Sequence, residues 1–240
     1  KPRVTVLTSA TLTVAGSFNT FKKSVGLPNA YSCKYASSFD YANNSVVYVP
    51  PRAPSPKSEE YINYLIEQIS SILDLTKGKT FILFTSYKTM NEVYQGISSK
   101  LSGFVWLVQG MDTKERLLQS YRTCSNAVLF GVDSYWEGID EDINCVVITK
   151  MPFSVPTNPL EEAQYERVKS HGGNPFMEKA VPQCAIKLKQ GTGRLIRHKQ
   201  KRGAIAILDP RIHCNWGNQI KKTLPFTSWT QDIKAIAKYV

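Results

Sequence analysis

The chain predicts an α/β fold, a mostly parallel sheet with helices on both faces, on two observations. The first is a set of short runs that are apolar on every residue: Phe81-Ile82-Leu83-Phe84, Ala127-Val128-Leu129-Phe130, Cys145-Val146-Val147-Ile148 and Ala204-Ile205-Ala206-Ile207-Leu208. Strands that face solvent on one side alternate; continuous apolar runs belong to strands buried on both faces. The second is the amphipathic pattern of the stretches between them, such as Tyr61, Leu65, Ile69, Ile72 and Leu73 at helical spacing. Helices alternating with strands are the crossovers that make a sheet parallel. With 240 residues, no internal repeat and no low-complexity tract, a single α/β domain over residues 1–240 is the simplest count.

Taken in order, the β-branched run Val4 to Leu7 predicts a first strand. Ser17 to Val25 reads as a helix, with Ser17 as N-cap and Gly26 as its stop. Ser45-Val46-Val47-Tyr48-Val49 is a strand. The segment Pro50 to Pro56, with four prolines, is a loop because proline removes donors and fixes φ. A helix starts near Ser58, where Glu59 and Glu60 suit the positive end of the dipole. A strand then covers 80–84, a helix 88–101, a strand 104–108, a helix 113–122 and strands 127–130 and 145–148. Helices follow at 159–170 and 176–197, then a strand at 204–208 and helices near 215–222 and 229–239.

Basic residues outnumber acidic ones by 30 to 19, a formal charge of +11, and they cluster in the last third of the chain. That excess favours an anionic partner, most simply nucleic acid. The five cysteines (Cys33, Cys124, Cys145, Cys184 and Cys214) are odd in number and far apart, which argues against a zinc site and a disulfide framework. The expected compartment is therefore reducing, a cytoplasm. No stretch reaches the roughly 18 apolar residues of a membrane span, and no signal-peptide pattern appears. The chain starts at Lys1 rather than Met and reads as a piece of a longer protein.

The chemistry concentrates in four places. Gln190-Gly191-Thr192-Gly193-Arg194-Leu195-Ile196-Arg197 puts two arginines three residues apart, which on a helix share a face with Gln190 one turn back. Guanidinium forks suit a polyphosphate. Thr85-Ser86-Tyr87 follows a strand and opens a helix, so Ser86 is either a simple N-cap or part of a phosphate site. Gly131 to Asp140 holds an exposed-looking Trp136, for which packing is favoured over stacking on a base, and two carboxylates three apart, Glu137 and Asp140, which could accept bonds from a ribose or from the arginines, the second being favoured. Thr8-Ser9-Ala10-Thr11 is a hydroxyl-rich turn or a contact surface. His171, His198 and His213 have no evident triad partners. The chain has no GxxxxGK[ST], so it does not cradle a triphosphate by that loop.

These segments together resemble the second motor domain of superfamily 2 helicases of the DinG/XPD group. Val6 to Leu12 looks like motif III of that group and Phe84-Thr85-Ser86-Tyr87 like motif IV. Ser134-Tyr135-Trp136-Glu137-Gly138-Ile139-Asp140, with Met151-Pro152-Phe153 behind it, looks like motif V, and Gln190 to Arg197 like motif VI. The resemblance implies a RecA-like second lobe of a P-loop NTPase and an ATP-dependent DNA helicase as the whole protein. It implies that Gln190, Arg194 and Arg197 face the ATP γ-phosphate, with Arg197 as the arginine finger. It gives Gly193, Glu137, Gly138, Asp140, Thr8, Ser9 and Thr11 to ATP binding and coupling, and Thr85, Ser86, Ser134 and Trp136 to nucleic-acid contact.

The resemblance also implies a bacterial, cytoplasmic protein and three partners: ATP with Mg²⁺, whose ligands belong to the N-terminal motor lobe; single-stranded DNA, with RNA open; and that lobe itself. Whether the lobe carries an iron–sulfur cluster stays open; none is expected in this chain. The chain alone is expected to be inactive. A competing reading from another class is a nucleic-acid-binding lobe attached to a nuclease with a degenerate motor. One departure stands out: relatives carry Asp before Arg-Gly after motif VI, where this chain has Lys201 before Arg202-Gly203. One local salt bridge is thereby in question.

Overall fold

The computed structural model describes residues 4–240; Lys1, on which the reading of a longer protein partly rested, lies outside them. Among the described residues, β1 (Ser45–Tyr48), β2 (Thr80–Leu83), β3 (Val105–Val108), β4 (Ala127–Gly131), β5 (Cys145–Ile148), β6 (Gly203–Ile207) and β7 (Trp229–Thr230) form one sheet. Their order is β3-β4-β2-β5-β6-β1-β7, and every neighbouring pair is parallel. The helices are α1 (Asn19–Ser24), α2 (Tyr41–Asn44), α3 (Glu60–Thr76), α4 (Tyr87–Ser98), α5 (Lys114–Thr123), α6 (Pro159–Ser170), α7 (Val181–Thr192) and α8 (Gly217–Thr223).

The apolar strand runs split by the period of two that a strand imposes. Phe81 and Leu83 of β2, with Leu129, Val146, Ile205 and Ile207, pack against Leu117 and Tyr121 of α5 and Val181, Ala185 and Leu188 of α7. Ile82, Val128, Phe130, Val147 and Ala206 point the other way, against Leu65, Ile69, Ile72 and Leu73 of α3 and Met90, Val93 and Ile97 of α4. Residues of both sets are almost all fully buried. Two hydrophobic layers on one sheet explain why each strand had to be apolar at every position.

Four expectations need correction. Val4 to Leu7 forms no strand; Val4 and Val6 are 89% and 79% exposed. The run pairs with no strand of the sheet, and an unpaired strand gains no ladder hydrogen bonds. Ser17 does not cap α1, whose N-cap is Phe18 with no side-chain bond. The helix expected over 229–239 is instead β7 followed by a 3₁₀ turn from Ile233 to Lys238, capped by Asp232.

The fourth concerns 176–197. A π-turn covers Phe176–Ala180, α7 proper spans Val181–Thr192, and the chain then leaves the helix. Pro182 cannot donate to the preceding turn, which suits a wide turn ahead of it. Leu195 and Ile196 are both 1% exposed. Beyond Thr192 the backbone turns, and both residues join the layer that α7 shares with the rest of that face of the sheet.

The carboxyl ends of the central strands are pinned by Asp209, which is fully buried. Its Oδ2 accepts from the Met151 backbone N–H at 2.7 Å and from Arg211 Nη2 at 2.6 Å, and Oδ1 accepts from the Arg211 backbone N–H at 2.9 Å. Asp209→Ala orphans the Met151 donor and the guanidinium, which is itself about one-third exposed. Urea denaturation is expected to show a loss of about 2–3 kcal/mol, with Asp209→Asn losing less because it keeps an acceptor for Met151. A cost below about 0.5 kcal/mol for the alanine variant contradicts this role.

Candidate active site

The register of the sheet brings Leu83, Gly131, Ile148 and Ile207 level at one edge. β4 ends there, and β5 starts at the opposite edge, so residues 132–144 must cross the whole height of the sheet. They do so on the α5/α7 side, with Tyr135, Trp136, Ile139 and Ile143 buried in that layer. Helix α7 lies beside this segment, and the two together form the site.

At the upper end, Asp133 takes a left-handed turn with φ 35°. Lys114 Nζ donates to the Ser134 carbonyl at 3.0 Å, and Lys187 Nζ stands 3.9 Å from Asp133 Oδ1. Trp136 is fully buried, the packed alternative rather than a base-stacking one. Its Nε1–H donates to the Phe84 carbonyl at 2.9 Å. A Cβ at Gly191 would lie 2.9 Å from Trp136 Cε3, so glycine in α7 is what admits the indole. An indole held this way is unavailable to stack on a base, which removes Trp136 from the nucleic-acid contacts.

Arg194 sits in the turn after α7 and is 3% exposed. Nη1 donates to the Tyr135 carbonyl at 2.7 Å and Nη2 to the Trp136 carbonyl. Nε is buried without a partner. Burial pulls this guanidinium down to about 10, helped by the like charge of Arg197 and opposed by Glu137. At neutral pH it is still charged. Arg197 is different: its guanidinium is exposed, Nη2 donates to the Ile139 carbonyl at 2.7 Å, Nε donates to the Arg194 carbonyl at 3.2 Å, and Nε lies 3.4 Å from Asp140 Oδ1. The expected helical face shared by the two arginines is therefore absent. The arginines are brought together by the crossing segment, one inward and one outward.

Glu137, Gly138, Ile139, Asp140, Gln190, Arg194 and Arg197 line an open cleft of about 500 Å³. The favoured reading of the carboxylates holds for Asp140, which pairs with Arg197. The lower end of the segment is anchored by Glu141, nearly buried and bidentate to Arg122, and by Lys201, whose Nζ lies 2.5 Å from Asp142 Oδ1 and 3.0 Å from Asn144 Oδ1. Lys201 thus makes an ion pair of its own at the position where the resemblance leads one to expect Asp.

An exposed guanidinium and an amide on one cleft, backed by a second, buried guanidinium, make a binding surface for an anion with several oxygens. The model described as helicase C-terminal domain matches residues 69–227. The chain belongs to the helicase C-terminal domain family. It is 35% identical over 239 residues to "ATP-dependent DNA helicase YoaA" of Haemophilus influenzae, covering 98% of this chain and 37% of that protein. It is also 35% identical over 235 residues to "ATP-dependent DNA helicase DinG" of Photobacterium profundum, covering 92% of this chain and 34% of that one. The chain thus spans little more than a third of these relatives. Among solved structures, Xpd4 of S. tokodaii superposes with a TM-score of 0.60 at 17% identity, over 84% of this chain and 41% of that one. The fold is that of a RecA-like helicase lobe, as the resemblance implied.

Within this helicase C-terminal domain the remaining expected residues divide. Ser86 caps α4, its Oγ accepting from the Thr89 N–H at 3.2 Å, and Thr85, Ser86 and Ser134 are exposed near the carboxyl ends of β2 and β4. Gly193 is not among the lining residues; a Cβ there would stand 2.7 Å from the Lys189 carbonyl oxygen, so its smallness serves the end of α7. Thr8, Ser9 and Thr11 also lie outside the lining set; Ser9 Oγ and Thr11 Oγ1 bond one another at 3.2 Å. Sequence reasoning does not single out Lys187, one of the basic residues clustered in the last third of the chain. Its Nζ stands 5.7 Å from the Trp136 ring centroid, and with Thr85, Asp133, Pro152, Phe153 and Ser154 it lines a second hollow of about 210 Å³. The available signal was helical spacing, since Lys187 precedes Gln190 and Gly191 by three and four residues.

Arg194→Ala leaves two buried carbonyls without donors and is expected to cost about 2–4 kcal/mol. Arg197→Ala removes an exposed group and is expected to cost under about 1 kcal/mol. Denaturant titration of the two variants checks the contrast, and equal costs contradict it.

Proposed function

We propose that this domain is the C-terminal motor lobe of a DinG-type, ATP-dependent DNA helicase. The observation that carries the reading is Arg197: a guanidinium held along one edge by the Ile139 and Arg194 carbonyls and exposed at the rim of a cleft that Gln190 also lines. A cation anchored on one side and open on the other can stabilise charge developing on a transferring phosphoryl group without reorganising. Arg197 is the arginine finger of this reading. Arg194 positions the turn that Arg197 leans on, Gln190 bonds the phosphates or the attacking water, and Glu137, Gly138 and Asp140 form the opposite lip.

The lining residues suit the phosphates of ATP rather than its magnesium ion. Among the described residues no three of His, Cys, Asp or Glu converge as a metal site, and Asp140 is engaged by Arg197. The ion's ligands and the phosphate loop are expected from the N-terminal motor lobe, with which this domain would close the site. Thr85, Ser86 and Ser134 would follow the backbone of single-stranded DNA, consistent with the excess of basic residues. Thr8, Ser9 and Thr11, as an exposed turn, would respond to lobe closure. A cytoplasmic location fits this role, and no helix among the described residues is long and apolar enough to cross a membrane.

In the full-length protein, Arg197→Ala is expected to lower ATP turnover by about 10³-fold or more while single-strand affinity stays within about twofold. Parallel loss of turnover and strand binding would assign Arg197 a structural role instead. The separate domain is expected to bind single strands in a salt-dependent way and to hydrolyse no ATP. Robust turnover by the domain alone would sink the proposal. Titrations of matched single-stranded DNA and RNA decide which is bound more tightly.

A further inference from the structure

We infer that Trp136 is a positioning residue that ties strand binding to ATP hydrolysis, acting as a fixed link between the arginine cleft and the Thr85–Ser86 edge. This inference rests on the function proposed above and assigns a residue whose side chain touches neither ligand.

Trp136 meets three elements at once. Its indole N–H bonds the carbonyl of Phe84, the residue immediately before Thr85 and Ser86. Its ring lies against Gly191 of α7, so closely that a methyl group there would overlap it. Its own carbonyl is bonded by Arg194 Nη2. One residue therefore joins the end of β2, the helix carrying Gln190, and the turn carrying both arginines. The ring is fully buried, and a Cβ at Gly191 would stand 2.9 Å from it and 3.5 Å from Leu83 Cδ1. Close-packed interiors transmit displacement rather than absorb it.

The anchoring of the rest of the segment points the same way. Residues 137–140 are the lip of the cleft. Beyond them, Glu141 and Asp142 are fixed by Arg122 and Lys201, and before them Ser134 is held by Lys114. With both ends fixed, movement of the turn as Arg197 engages a phosphate is transmitted through the bonded Arg194 guanidinium to the Tyr135 and Trp136 carbonyls, and from there through the indole N–H to Phe84. Displacement of Thr85–Ser86 by a bound strand travels the reverse path. Thermodynamic coupling of this kind is reciprocal, and a claimed path needs a measured coupling.

The test uses full-length protein, with ATP turnover measured across a titration of single-stranded DNA, and strand affinity measured without nucleotide. Trp136→Phe keeps an aromatic ring and removes the N–H. It is expected to lower the fold-stimulation of turnover by DNA at least about tenfold while strand affinity changes less than about twofold. Gly191→Ala pushes the ring from the opposite side without removing it, is expected to uncouple in the same manner, and decides the matter alone if the phenylalanine variant does not fold. Wild-type stimulation in both variants, or loss of stimulation and strand affinity together, overturns the inference. If the wild-type protein itself shows no DNA-stimulated turnover, the helicase reading fails first, and that outcome is distinct from failure of the link.

Discussion

The bonds from the Arg194 guanidinium to the Tyr135 and Trp136 carbonyls hold the site in shape. A charged group 3% exposed is costly to bury, and this one has no bonded carboxylate partner, only two carbonyl dipoles and the more distant Glu137. The cost is offset because those carbonyls would otherwise be buried without donors themselves. Removing the guanidinium would strand the carbonyls, and opening the turn would strand the guanidinium. Each half makes the other necessary, which is why the 132–144 crossing and the end of α7 are fixed relative to one another. Arg197 inherits its position from this arrangement, since its Nε bonds the Arg194 carbonyl and its Nη2 the Ile139 carbonyl.

The division of labour between the arginines follows from burial. Arg194 has its donors committed to the protein apart from one buried, unpartnered Nε. Arg197 faces the cleft, with Asp140 as a weak, exposed partner that an incoming polyphosphate can displace. Two identical side chains in one motif therefore contribute differently, one to geometry and one to electrostatics. The sheet contributes by forcing a single segment to run from the strand ends near Thr85 down to the cleft.

The parallel sheet and its helices were legible because each β-strand among 80–83, 127–131, 145–148 and 203–207 is apolar at nearly every position, and that pattern has one common structural cause. The cleft residues were legible through their resemblance to known motifs. What the sequence concealed depended on contacts between distant positions. That Trp136 packs is the favoured reading, but what it packs against is not legible: Gly191, 55 positions away, makes room for it. Helix α7 ends at Thr192 and Arg194 turns to the Tyr135 and Trp136 carbonyls, whereas a continued helical period would keep Gln190, Arg194 and Arg197 on one face. Val4 to Leu7 has the composition of a strand, but strand formation needs a neighbour, and composition does not report one.

Arginine-selective labelling with phenylglyoxal, read by mass spectrometry on the full-length protein with and without a non-hydrolysable ATP analogue, tests the central claim most directly. The account predicts that Arg197 is labelled in the free protein and protected by the nucleotide, while Arg194 stays unlabelled in both states. Labelling of Arg194 as readily as Arg197, or no protection of Arg197 by a saturating nucleotide, would contradict it.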